Sequence, residues 1–151
     1  MKDDHNTTHA EGAPDPLGLY PHARRVGNLL FLSGIGPRVK GSDKIPGVEL
    51  DDNGNIVDRD IEAQCHAVFG NVRKVLEAAG SSWENLVDVT VFLTHMRQDF
   101  ATYNRVYGEY FQDNRPCRTT VEISSLPTPI NIELKCIATI YDVEDGSVDQ
   151  E

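Results

Sequence analysis

From Ile61 to Ala79, the apolar residues Ile61, Cys65, Val68, Phe69, Val72, Val75, Leu76 and Ala79 recur every three to four positions, which places them on one face of an α-helix. Asp58 or Asp60 supplies an N-cap and Gly80 a stop. The period then changes: Leu86 to Thr94, rich in β-branched residues, reads as a strand. A helix with one apolar stripe that feeds directly into a strand has to bury that stripe on a sheet.

The rest of the chain extends this pattern. Ala23–Val26 and Leu29–Ser33 flank Gly27-Asn28, a dipeptide suited to a tight turn with positive φ, so a β-hairpin is expected. Arg38 to Asn55, with its Gly, Pro, Asp and Asn residues, reads as a long polar loop. A second helix is expected from about Asp99 to Phe111, its aromatics filling core or interface. Two strands follow, Arg118 to Ile123 and Ile132 to Tyr141. The order is β-β-α-β-α-β-β, an α+β class with a mixed sheet and two helices on one face. The other face then needs cover, and self-association supplies it.

The last two strands carry the chemistry. Arg118 lies in Arg115-Pro116-Cys117-Arg118-Thr119-Thr120, and Glu133 in Asn131-Ile132-Glu133-Leu134-Lys135, joined by a short Pro127/Pro129 connection that suggests neighbouring strands. Guanidinium is a planar fork for carboxylates, and a carboxylate can orient or deprotonate water. The same two residues also suit an ordinary cross-strand ion pair. Spacing alone leaves both readings open.

Composition narrows the alternatives. The 151 residues suit one domain with a core of its own, and no apolar run approaches the roughly 20 residues of a membrane span. Met1 to Thr8 has no apolar signal region, so a soluble cytoplasmic protein is expected. Cys65, Cys117 and Cys136 are odd in number with no Cys-x-x-Cys spacing, and the five histidines form no ligand pattern; reduced thiols and no metal are expected. Of the net charge of −10, most sits at the two ends: Asp3, Asp4, Glu11 and Asp15 against Lys2, and Asp142, Glu144, Asp145, Asp149 and Glu151 with no base. Residues 1–15 and 142–151 therefore read as disordered acidic tails around a single domain over 16–141. The near-neutral body offers no footprint for nucleic acid.

Tyr20, Phe31-Leu32-Ser33-Gly34, Asp99-Phe100-Ala101-Thr102-Tyr103-Asn104 and Arg118…Glu133 stand in the order seen in the reactive-intermediate deaminases, the YjgF or Rid family. The resemblance runs from about Leu17 to Ile140. Tyr20-Pro21-His22-Ala23-Arg24-Arg25 and Val106-Tyr107-Gly108-Glu109-Tyr110-Phe111 are most similar to its 2-aminomuconate deaminases. The resemblance implies a chorismate-mutase-like fold, a homotrimer with clefts between subunits, and hydrolysis of enamine or imine acids with release of ammonia, without a cofactor. It implies Arg118 as carboxylate anchor, and Glu133 with a backbone carbonyl near Thr120 as holders of the water. Tyr20, Ser33, Gly34 and Asn104 match cleft-lining positions.

A dicarboxylate needs a second cation. Arg38 is the first choice, with His22, Arg24 and Arg25 as alternatives. Two positions depart from the housekeeping members: Ile35 follows Ser33-Gly34 where glutamine is common, and Lys135 stands where an acid is common. A housekeeping 2-aminoacrylate deaminase and a non-catalytic carboxylate-binding trimer are the competing expectations.

Overall fold

The structure is a computed structural model that describes residues 5–142. Its elements in chain order are β1 (Thr7–Thr8), β2 (Ala23–Val26), β3 (Leu29–Leu32), β4 (Val48–Leu50), β5 (Ile56–Arg59), α1 (Ile61–Ala78), β6 (Leu86–Leu93), α2 (Met96–Tyr110), β7 (Cys117–Glu122) and β8 (Ile132–Thr139), with a 3-10 turn at Trp83–Asn85 before β6. Six strands form one mixed sheet in the order β1-β2-β3-β8-β6-β7, and β4-β5 is a separate hairpin.

The local signals act as expected at both ends of α1. The Asp60 side chain accepts a bond from the Ala63 amide, satisfying one of the first-turn donors, and Gly80 adopts φ +85° beyond the last turn. Gly27 takes φ +59° in the β2–β3 turn, while Asn28 keeps a negative φ. Alternation along β6 and β8 then turns one set of side chains under the helices: Val89, Val91, Ile132, Leu134, Cys136 and Ala138 are at most 1 % exposed. They meet Cys65, Val68, Phe69, Val72, Val75 and Leu76 of α1 in one core. Burying such side chains stabilises the domain by roughly 1.5–3 kcal/mol each.

Four expectations need correction. The Arg118 and Glu133 strands are not neighbours: β7 pairs parallel with β6, β8 pairs antiparallel with β6, and β6 lies between them. A parallel pair requires a crossover, and α2 provides it. The Arg38–Asn55 loop contains β4, which closes a hairpin with β5. The second helix begins at Met96, three residues before the expected Asp99, and Met96 packs against the core.

The fourth correction concerns the N-terminal tail. Thr7–Thr8 pairs with Ala23–Arg24, and Ala10 and Ala13 are buried, so structure begins well before residue 16. His22 fastens this segment. Its Nδ1 accepts from the Ala10 amide at 2.9 Å and its Nε2 donates to the Pro14 carbonyl at 2.7 Å, so both ring nitrogens are engaged with main chain. The remainder of the two expected tails, residues 1–4 and 143–151, lies outside the described residues. No helix among the described residues is long and apolar enough to cross a membrane.

Candidate functional site

Arg118 is held by α2. Its register partner on β6 is Val89, so its side chain stands on the helix-covered face. On α2, Tyr103, Asn104 and Tyr107 share one side through the i, i+3 and i+4 spacing. Arg118 Nη1 donates to Asn104 Oδ1 at 2.9 Å, and its guanidinium carbon lies 4.7 Å over the Tyr107 ring and 5.4 Å from the Tyr103 ring centre. Tyr103 Oη is bonded at 2.8 Å to Oγ1 of Thr120, which faces the same way, one alternation along β7. A planar cation on two aromatic faces, fixed by one amide, is oriented without being neutralised. Among the described residues Arg118 has no ion-pair partner, so it forms no cross-strand pair with Glu133.

Glu133 belongs to the other face. It is in register with Phe92, one position out of phase with Val91 and Leu134, and therefore points away from the helices. Its carboxylate lies against Gly34 so closely that a Cβ there would sit 2.9 Å from Oε2, so a larger residue at 34 would displace the carboxylate. No described residue donates a hydrogen bond to it. Burial raises its pKa, with the positive charge of Arg38 opposing. A half-buried carboxylate without a donor is a better base than an exposed one and is free to hold water.

The remaining predicted residues cluster on the Glu133 side. Tyr20, Gly34 and Arg38 line one small recess with Pro14, Pro16 and Gly36. Tyr20 Oη accepts from the Leu17 amide at 3.1 Å, and Arg38 Nη2 donates to the Asp15 carbonyl at 3.0 Å. Ser33 is committed locally, its Oγ donating to the Pro21 carbonyl at 2.7 Å. Two of the alternative cations are also committed: His22 is bonded through both ring nitrogens as described above, and Arg25 pairs with Asp142 at 2.9 Å.

The predicted residues thus fall into two groups. Arg118, Asn104 and Thr120 lie together on the helix side of the sheet; Glu133 lies against Gly34 on the opposite side, and Tyr20 and Arg38 line the recess at Gly34. The bed of Tyr103 and Tyr107 is the part that sequence reasoning assigned to core filling. The available signal was their placement one before and three after Asn104 on a helix face. Cys65 and Cys136 are pushed up to about 12 by burial and carry no thiolate character. Among the described residues no group of three or more His, Cys, Asp or Glu side chains is placed to hold a metal.

A mixed sheet with two helices on one face is the fold of solved YjgF-type proteins: the E. coli YjgF gene product superposes with a TM-score of 0.75 at 31 % identity, covering 88 % of this chain and 97 % of that one. The chain belongs to the YjgF/Rid family: residues 10–140 match the family model described as Endoribonuclease L-PSP. It is 40 % identical over 131 residues to a RutC family protein of Pyrococcus horikoshii, covering 85 % of this chain and 92 % of that protein. It is 35 % identical over 130 residues to the chloroplastic Reactive Intermediate Deaminase A of Arabidopsis thaliana, covering 86 % of this chain and 63 % of that protein. Among solved structures, E. coli TdcF with bound serine superposes with a TM-score of 0.76 at 29 % identity, covering 89 % of this chain and 98 % of that one.

Proposed function

We propose that this protein hydrolyses enamine and imine carboxylic acids to 2-oxo acids and ammonia, as a homotrimer whose sites lie between copies. The observation that carries the proposal is the separation of Arg118 from Glu133: a cation shaped for a carboxylate and an unpaired base stand on opposite faces of one sheet. A second copy that brings its Arg118 edge against the open face joins the two halves and covers that face as well.

The chemistry follows from the two groups. Arg118 takes the substrate carboxylate bidentately and sets the iminium carbon beside Glu133. Water held by Glu133 attacks that carbon while the carboxylate accepts its proton, giving a carbinolamine. Glu133 returns that proton to nitrogen, and the C–N bond then breaks as the carbinol oxygen forms the carbonyl; the hydroxyl proton it gives up passes through Glu133 to the departing ammonia, which leaves as ammonium. A glutamate whose pKa is raised by burial serves both directions of this transfer. No cofactor takes part in these steps.

The preferred substrate in this reading is 2-aminomuconate, formed in the breakdown of aromatic compounds, with Arg38 meeting the second carboxylate. Its support is local: Arg38 lines the recess at Gly34 and acts electrostatically on Glu133, whereas His22 and Arg25 are engaged elsewhere. The net charge of −10 weighs against RNA despite the name of the family model. The three free cysteines suit a reducing, cytoplasmic setting.

The test is ammonia release from 2-aminomuconate and 2-aminoacrylate, assayed side by side. Faster release from the dicarboxylate supports the reading, and faster release from 2-aminoacrylate makes the protein a housekeeping imine deaminase. Binding of small carboxylic acids with no ammonia from either makes it a binding module.

A further inference from the structure

The ladder between β3 and β8 is interrupted beside Glu133. It runs regularly through Leu29↔Thr139, Leu30↔Ala138 and Phe31↔Ile137, and resumes at the bridge Ile35↔Leu134. Between those points four steps along the β3 side answer three along β8, so one extra residue is accommodated there. Such bulges bend a strand and leave a backbone group without its ladder partner. Here the Leu32 carbonyl lies at the bulge and accepts a hydrogen bond from the ammonium of Lys135.

Lys135 is suited to this by position. It is two residues from Glu133 on the same strand and so on the same face. It has no acidic partner within ion-pair distance among the described residues, and burial lowers its pKa. Its contact is thus to main chain, at the residue before Ser33-Gly34. The Leu32 side chain is fully buried, and Ser33 is tied by its amide to the His22 carbonyl at 3.0 Å and by its hydroxyl to Pro21. From the strand that carries Glu133, Leu134 exchanges backbone bonds with Ile35 at 2.9 and 2.8 Å, and Lys135 adds a side-chain tether within the bulge itself.

We propose that Lys135 is a positioning residue: by bridging the bulge to Leu32 it holds Gly34 against the Glu133 carboxylate and fixes where that carboxylate points. The inference rests on the reading of Glu133 as the group that handles water. Its geometric part is independent of any activity.

The experiment compares Lys135→Met and Lys135→Arg with the unmodified full chain, by amide hydrogen exchange and by kinetics on one monocarboxylate and one dicarboxylate imine. Lys135→Met is expected to raise exchange at Ser33, Gly34 and Ile35 by about tenfold or more without change in α1. It is expected to lower kcat about tenfold on both substrates with KM little altered, because orientation and not binding is lost. Lys135→Arg, which also reaches a carbonyl, restores both. Unchanged exchange at Ser33–Ile35 in Lys135→Met overturns the proposal even if the protein has no deaminase activity. A KM effect confined to the dicarboxylate also overturns it, because Lys135 would then be a ligand contact.

Discussion

Arg118 and Glu133 stand on opposite faces of the same sheet, separated by the central strand β6. Their register partners there, Val89 and Phe92, are three residues apart, and an odd separation along a strand reverses the side. The guanidinium therefore lies under α2 and the carboxylate lies beyond the sheet. A catalytic role for both in one event requires two copies of the chain.

Arg118→Lys tests the fork. Lysine keeps the charge but is a point donor, and it does not lie flat on Tyr107 and Tyr103 while bonding Asn104. Carboxylate binding should weaken by about 1.5–3 kcal/mol, the range for one hydrogen bond to a charged group. Titration calorimetry with a small 2-oxo acid measures this directly, and affinity equal to that of the unmodified protein would remove Arg118 from the site.

Glu133→Gln separates function from stability. Because burial raises the folded-state pKa, the folded protein binds more protons than the unfolded chain between the ordinary glutamate value and the raised one. Stability therefore falls as pH rises through that window, and the penalty is fully present above it. The amide removes the penalty along with the base. Turnover should collapse while the melting temperature at neutral pH rises, and the gap between the two proteins should close as pH falls below the glutamate range. A lower melting temperature at neutral pH would mean that Glu133 has a stabilising partner.

How much of this was legible in the chain depends on what each feature rests on. Helix α1 was readable because period, cap and stop agree within one segment, at Asp60 and Gly80. The β2–β3 hairpin was readable from Gly27-Asn28 for the same local reason. Strand order was not: nothing in the spacing of Arg118 and Glu133 says that β6, earlier in the chain, inserts between them through the α2 crossover. Without that order the faces are undetermined, and the pair looks like cross-strand neighbours. The N-terminal segment was misread because its pairing uses the backbone of Thr7–Thr8 and the small side chains of Ala10 and Ala13, which polar composition conceals. Tyr103 and Tyr107 were read as core and are buried, but their ring faces also carry Arg118.

Tyr107→Phe examines that bed. The Tyr107 hydroxyl is buried with no hydrogen-bond partner, and burial raises its pKa. Removing it should leave carboxylate affinity unchanged, since the ring under the guanidinium stays, and should hold or raise stability by about 1 kcal/mol in chemical denaturation. A loss of stability would assign the hydroxyl a partner.

Arg38→Ala addresses substrate choice. With Arg38 on the distal carboxylate, turnover of 2-aminomuconate should fall by tenfold or more, about the worth of one charge-assisted contact, while turnover of 2-aminoacrylate changes little. Equal losses on both would point to the Arg38–Asp15 contact and the folding of the segment before Tyr20.

The most direct test of a shared site is complementation between two inactive variants. Arg118→Ala and Glu133→Gln subunits are unfolded, mixed in equal amounts and refolded together, and ammonia release from 2-aminomuconate is measured. If each site takes Arg118 from one copy and Glu133 from the next, random assembly of a ring gives about one quarter of sites with both residues intact, and about a quarter of the unmodified activity returns. If both residues act within one chain, every site in the mixture lacks one of them and activity stays at the level of the separate variants.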